Sequence, residues 1–228
     1  MKPLFLKILG ISFLLFFPSV FAAMDKENFS LSPQQKMIYD PDPSQGLWGW
    51  ALYYSRLQDK LLNQNLRFEY NRDKDDLYSA EINYRLSKAN PLSEFFNIFR
   101  AKFEVNGNFT YEDAPSHSIY EFTPYFDVRW IDFPWNKYVT TTFAIGEGVS
   151  YATAIPLYER REHRQKINGK RFENYLMFEA TLSLPKRPDW QLIYRIHHRS
   201  GVFGMYDSSN SGSTAVGVGI RHYFEWDS

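Results

Sequence analysis

From Tyr78 onward, apolar and polar residues take turns along the chain. Tyr78, Ala80, Ile82, Tyr84 and Leu86 alternate with Ser79, Glu81, Asn83 and Arg85, and Phe99, Ala101, Phe103, Val105 and Phe109 with Arg100, Lys102, Glu104, Asn106 and Asn108. Tyr120, Phe122, Pro124, Phe126, Val128 and Trp130 alternate in the same way with Glu121, Thr123, Tyr125, Asp127 and Arg129. A period of two is the signature of a β-strand with two unlike faces. A soluble lipocalin-like barrel would turn the apolar parity inward, but these neighbours carry runs of charge on the other parity and an unusual load of aromatic rings. Apolar outside and polar inside is the pattern of a membrane barrel. The expected fold is an all-β, eight-stranded antiparallel transmembrane β-barrel of the outer membrane, with strands near 47–57, 77–87, 97–111, 118–132, 138–153, 172–184, 189–203 and 213–224.

The connections argue for the same topology. Ser87–Phe96, Phe133–Lys137 and Pro185–Pro188 are fairly short, whereas 58–76, 154–171 and 204–212 are mostly longer and polar or Gly/Ser-rich. Short periplasmic turns and long external loops require an even strand number and both termini in the periplasm. At the N-terminus, Lys2 and Lys7 flank an apolar run from Ile8 to Phe17 followed by Pro18-Ser19-Val20-Phe21-Ala22, the layout of a cleaved export signal. The chain therefore divides into a signal peptide (1–22), a polar periplasmic tail (23–45) and the barrel (46–228). The last strand carries Val216, Val218, Ile220, His222 and Phe224 on one parity, similar to the C-terminal signature by which outer-membrane barrels are recognised by their assembly machinery. It differs in having His222 at an aromatic position and four residues after the phenylalanine.

Composition narrows the chemistry. The 228 residues include no cysteine, so disulfides and thiolate chemistry are out. Lys and Arg together number 26, as do Asp and Glu, which gives no global attraction to nucleic acid. Aromatic residues make up 18% of the chain, and Tyr and Trp concentrate where hydrocarbon meets water. No nucleotide loop, zinc spacing or calcium loop is present, so no cofactor or metal is expected. The expected partner is outer-membrane lipid, including lipid A and lipopolysaccharide.

One stretch can carry chemistry. Leu192, Tyr194, Ile196, His198 and Ser200 share a parity, which puts His198 and Ser200 on the lipid face near the external end of an outward-running strand. Same-face residues two apart lie roughly 6.5–7 Å apart at the backbone, close enough for an imidazole to act as base toward a hydroxyl. The pair can equally be a hydrogen-bonded structural pair at the rim. A signal peptide, a small barrel and H-x-S on the penultimate strand resemble the lipid A 3-O-deacylase (PagL) family. That resemblance implies Ser200 as nucleophile, His198 as base and an orienting carboxylate, all facing the membrane. The family has Asn after the serine for the oxyanion, where this chain has Gly201, so backbone N–H groups from Gly201 to Gly204 are the expected donors. Its acid is a Glu on or just before the last strand. Residues 208–214 hold none, which leaves Asp207 as the nearest carboxylate in sequence.

Glu147 follows Phe143 and Ile145 on the apolar parity between Gly146 and Gly148. Either a glycine-assisted bulge turns it into the lumen, or it is the orienting carboxylate, approaching across Asn174. Arg160, Arg161 and Arg164 lie in a basic external loop suited to lipid A phosphates, or simply to water. Arg85, Arg100, Lys102, Glu104, Asp127, Arg129, Glu179 and Arg195, with His197 and Arg199, are expected to pair inside the barrel. Two functions follow from this reading. One is an ester hydrolase acting on the acyl chains of lipid A, and the other is a non-catalytic barrel with a structural or surface-binding role.

Overall fold

The computed structural model describes residue 38 and residues 46–58, 62–70, 72–114, 117–156, 170–201 and 212–225. Within them the chain forms β1 (Leu47–Gln58), α1 (Leu62–Asn65), β2 (Arg72–Arg85), α2 (Pro91–Asn97), β3 (Ala101–Ala114), β4 (His117–Trp130), β5 (Thr140–Ala152), β6 (Phe172–Leu184), β7 (Arg187–Ser200) and β8 (Gly212–Phe224). The eight strands close into one antiparallel barrel in sequence order, with β8 paired to β1. No helix among the described residues is long and apolar enough to cross a membrane, a test that does not bear on strands.

The ladder fixes which face each residue takes. From Leu47 it passes to Arg85, Glu104, Asp127, Gly146, Met177, His197 and Ala215, and returns to β1 at Leu57. This stagger is the shear that tilts the strands of a small barrel by roughly 35–45°. The row lines the interior. Neighbouring outward positions carry Leu52, Ile82, Val105, Phe122, Phe126, Leu192, Val218 and Ile220, all exposed. At the closing seam, Gly217 and Gly219 let β8 lie close to β1: a Cβ at Gly219 would come 2.3 Å from the Leu52 carbonyl oxygen.

Charged and polar side chains fill the inside. Arg195 donates from Nη1 and Nη2 to Glu81 at 2.5 and 2.9 Å, and from Nε to Glu179 at 2.8 Å. Arg221 bridges the same two carboxylates at 2.5 and 2.9 Å. Arg129 links Glu179 to Glu104, which also binds Arg85 at 2.8 Å and accepts from the Tyr223 hydroxyl at 2.9 Å. Near the outer end, His197 Nε2 lies 3.1 Å from Glu121, which accepts from Ser150 at 2.7 Å. Buried charges of this kind persist only when each is paired and hydrogen-bonded, and here the pairing joins strands far apart in sequence.

Three expectations change. Arg100 is not lumenal: it precedes β3 with φ 55° and faces solvent near Asp132. β3 starts only at Ala101, not at 97, because a turn over 98–100 follows α2. Asn90 caps α2 by accepting from the Leu92 amide at 3.0 Å, Pro91 opens it, and Phe96 stacks on Phe103 with centroids 5.2 Å apart. Loop lengths do not alternate throughout, because the β2–β3 connection containing α2 is long and the β3–β4 connection spans only 115–116. The ladder through Gly146 and Gly148 runs without a register shift, so there is no bulge and Glu147 stays on the outer wall opposite Phe126.

The two ends of the wall carry aromatic rings. His222 serves as one of them at the end with the short β6–β7 turn, stacked on Trp190 at 4.4 Å and near Phe224 at 6.2 Å. In the expected tail, Ile38 is packed against Leu47 and Tyr223 at this same end, and its carbonyl accepts from Arg85 Nη1 at 2.9 Å.

Two substitutions test these faces by urea unfolding in detergent micelles. Val105→Arg places a charge on the exposed mid-wall and is expected to cost about 2–4 kcal/mol. Glu179→Gln removes the negative charge shared by Arg129, Arg195 and Arg221 and one of its two acceptor oxygens, and is expected to cost about 3–5 kcal/mol.

Candidate active site on the outer wall

β7 delivers His198 and Ser200 to the outside of the barrel. Arg195, His197 and Arg199 are buried in the lumen, while Leu192 and Tyr194 face outward, and the ladder, which runs in constant register from Leu192 to Ser200, carries His198 and Ser200 to the outward side. Both are half-buried and lie at the outer end of β7. The same end of the wall carries Tyr78, Tyr111, Tyr120 and Tyr151, the ring-and-hydroxyl residues of a membrane–water boundary.

The ladder decides what surrounds them. His198 lies between Leu176 on β6 and Thr214 on β8, and Ser200 between Asn174 and Gly212. His198 Nδ1 is 2.9 Å from Thr214 Oγ1, which fixes the ring plane through Nδ1 and leaves Nε2 as the other polar edge. Thr214 is only 3% exposed although its parity is outward. Across Ser200, Asn174 Nδ2 donates to Glu147 and, at 3.1 Å, to the carbonyl of Gly148. Gly212 keeps the surface open beside both residues: a Cβ there would meet His198 Cε1 at 3.7 Å and the Ser200 Cα at 3.8 Å, and would crowd the Arg199 carbonyl at 3.0 Å.

A polar strip therefore crosses four strands of a mostly apolar wall, in the order Glu147, Asn174, Ser200, His198, Thr214. A carboxylate and an imidazole facing hydrocarbon are expensive, and hydrogen bonds within the strip offset that cost. Glu147 is tied to Asn174 on one side of Ser200, while the orienting contact of His198 comes from a threonine hydroxyl on the other. Among the described residues no carboxylate is within hydrogen-bond reach of His198. Thr214 was absent from the sequence reading; its signal is a polar residue at an outward position of β8, visible only once the β7–β8 register is known. Gly201 is buried just beyond β7. Asp207, Gly204, Arg160, Arg161 and Arg164 lie outside the described residues. No group of three or more potential metal ligands occurs among the described residues.

No family model and no curated protein matches the chain. Solved structures with the same strand architecture include the outer membrane enzyme PagL, at 10% identity and a TM-score of 0.48 over 76% of this chain and 98% of that one. Neisserial surface protein A follows at 11% and 0.45 over 78% and 97%. The Yersinia pestis outer membrane protein Ail has 13% identity and a TM-score of 0.41 over 79% of this chain and all of that one. Likenesses this distant do not separate an enzyme from a non-enzymatic barrel. The chain's own two faces, a continuous apolar belt outside and a closed network of charge inside, make it an outer-membrane β-barrel.

Thr214→Val tests the site's geometry. It removes the hydroxyl that holds His198 and should shift the side-chain ¹⁵N resonances of His198 in micelles, while those of His197, bonded inside the barrel to Glu121, stay in place.

Proposed function

We propose that the protein is an ester hydrolase of the outer membrane that releases an acyl chain from lipid A, with Ser200 as nucleophile and His198 as base. The observation that carries this reading is the half-buried imidazole and hydroxyl of His198 and Ser200 on the outer wall at the outer end of β7, the end assigned to the outer leaflet, where an acyl ester lies between sugar and hydrocarbon. A water-soluble substrate would not reach such a pair. An acyl chain along the wall would bring its ester to Ser200 without leaving the membrane.

In this reaction Ser200 Oγ attacks the ester carbonyl as its proton passes to His198 Nε2. The proton then goes to the departing sugar oxygen, and water repeats the cycle on the acyl-serine. Thr214 is a positioning residue that holds the ring by its Nδ1 edge. A hydroxyl orients an imidazole but contributes less than a carboxylate to an imidazolium, so turnover slower than that of a carboxylate-assisted triad is expected. Oxyanion donors are assigned to the backbone from Gly201 to Gly204. Arg160, Arg161 and Arg164 are assigned to the phosphates of the same lipid, with the external loop above the leaflet. Delivery to the membrane is assigned to a cleaved signal over residues 1–22 and to the outer-membrane assembly machinery acting on the last strand.

A second reading is favoured by one observation: His198 is satisfied by a threonine, and no carboxylate meets it among the described residues. On that reading the strip is structural and the barrel is non-catalytic.

Mass spectrometry of lipid A from cells expressing the protein separates the two. The expected result is loss of one acyl chain with the parent protein. Ser200→Ala and His198→Ala are each expected to abolish that loss, because nucleophile and base work as one unit, and both should fold normally as judged by heat-modifiable gel mobility. His197→Ala should retain activity at reduced thermal stability, since its ring is inside. Unmodified lipid A beside a well-folded parent protein would overturn the hydrolase reading.

A further inference from the structure

The first external connection leans onto the lipid-facing wall. α1 packs against β8, the chain turns at Phe68 in the left-handed region with φ 62°, and the hydroxyl of Tyr70 meets that of Tyr194 on β7. The Phe68 ring lies 6.4 Å from Tyr194 and 6.2 Å from Tyr70, centroid to centroid. Tyr194 belongs to the outer column of β7, since its ladder partners are Ala180 and the outward-facing Val218. Ile196, the next residue of that column, has outward parity and yet is only 4% exposed, so the wall is covered at this point.

This flap is unexpectedly apolar for an external loop. Leu66, Phe68 and Tyr70 alternate with Arg67 and Glu69, and Phe68 is 73% exposed. Beside it Leu192, Val218 and Ile220 form the apolar belt. Rings continuous with that belt meet the same neighbours as the belt, which are the hydrocarbon chains of the outer leaflet. Charged residues at alternate positions and a hydroxyl on Tyr70 suit a segment lying across the boundary rather than within the bilayer centre.

We propose that the Leu66–Tyr70 flap is inserted into the hydrocarbon of the outer leaflet, where Phe68 contacts lipid acyl chains, and that the Tyr70–Tyr194 pair holds it against the wall. This surface stands whether or not the barrel is a hydrolase. In either case it borders the column that leads up to His198, so a lipid approaching that residue along β7 passes the flap.

The absence of cysteine allows single-site labelling of the full chain. A nitroxide is attached to Phe68→Cys, with Val218→Cys as the wall reference and Lys186→Cys, in the β6–β7 turn, as the water reference. Each protein is reconstituted in dioleoyl phosphatidylcholine vesicles, and collisions with oxygen and with a water-soluble nickel chelate are compared. The oxygen-to-nickel ratio at Phe68→Cys is expected to exceed Lys186→Cys several-fold and to lie at or below that of Val218→Cys in the middle of the wall. A ratio equal to that of Lys186→Cys would overturn insertion. Dipolar broadening at Phe68→Cys that vanishes on dilution with unlabelled protein would overturn lipid as the occupant in favour of a second copy of the chain. Adding Tyr194→Phe keeps the ring and removes the hydroxyl, so the label should become more mobile and its ratio fall toward the water reference. An unchanged spectrum would overturn the latch.

Discussion

The barrel stands on one shared problem, the burial of Glu81, Glu104 and Glu179 in a space no wider than their side chains. Each carboxylate is met by more than one arginine, and each arginine in the group by more than one acceptor, so removing any member leaves several buried charges short of one partner at once. The pairs join β2, β3, β4, β6, β7 and β8 across the lumen, which ties together strands that the ladder connects only to their neighbours. Together with the other buried polar side chains, the network makes the interior of the described barrel a polar core.

A polar core frees the outside to be apolar, and this makes the strip on β5 to β8 conspicuous. On a soluble barrel, His198 and Ser200 would be two surface residues among many. On a wall whose other outward positions are mostly Leu, Ile, Val, Phe, Tyr and Trp, they stand where polarity is costly, and their neighbours Thr214 and Asn174 hydrogen-bond within the strip. The asymmetry of those neighbours bears on mechanism. The carboxylate of Glu147 is committed to the amide of Asn174, and the imidazole is committed to a hydroxyl. Glu147 is thus on the far side of Ser200 from His198, and under the proposed reaction the two residues would act as a dyad with an orienting hydroxyl.

The alternation of apolar and polar residues determined the fold class, the strand count, the order of the strands and the side of the wall on which His198 and Ser200 lie, because a period of two leaves each side chain one of two directions. It also marked most of the lumenal charges, since they are the polar half of the same alternation. It was misled at Phe99 and Arg100, which belong to the turn after α2 and not to the start of β3, and at Gly146–Gly148, where two glycines flanking an acid hinted at a bulge that the ladder does not contain. Only the closed tertiary structure decided which residues share a row. The shear of the barrel sets Thr214 beside His198, Asn174 beside Ser200 and Glu81 within reach of Arg195. Those pairings depend on inter-strand register, a sum of small offsets around the whole circumference that no single strand's sequence records.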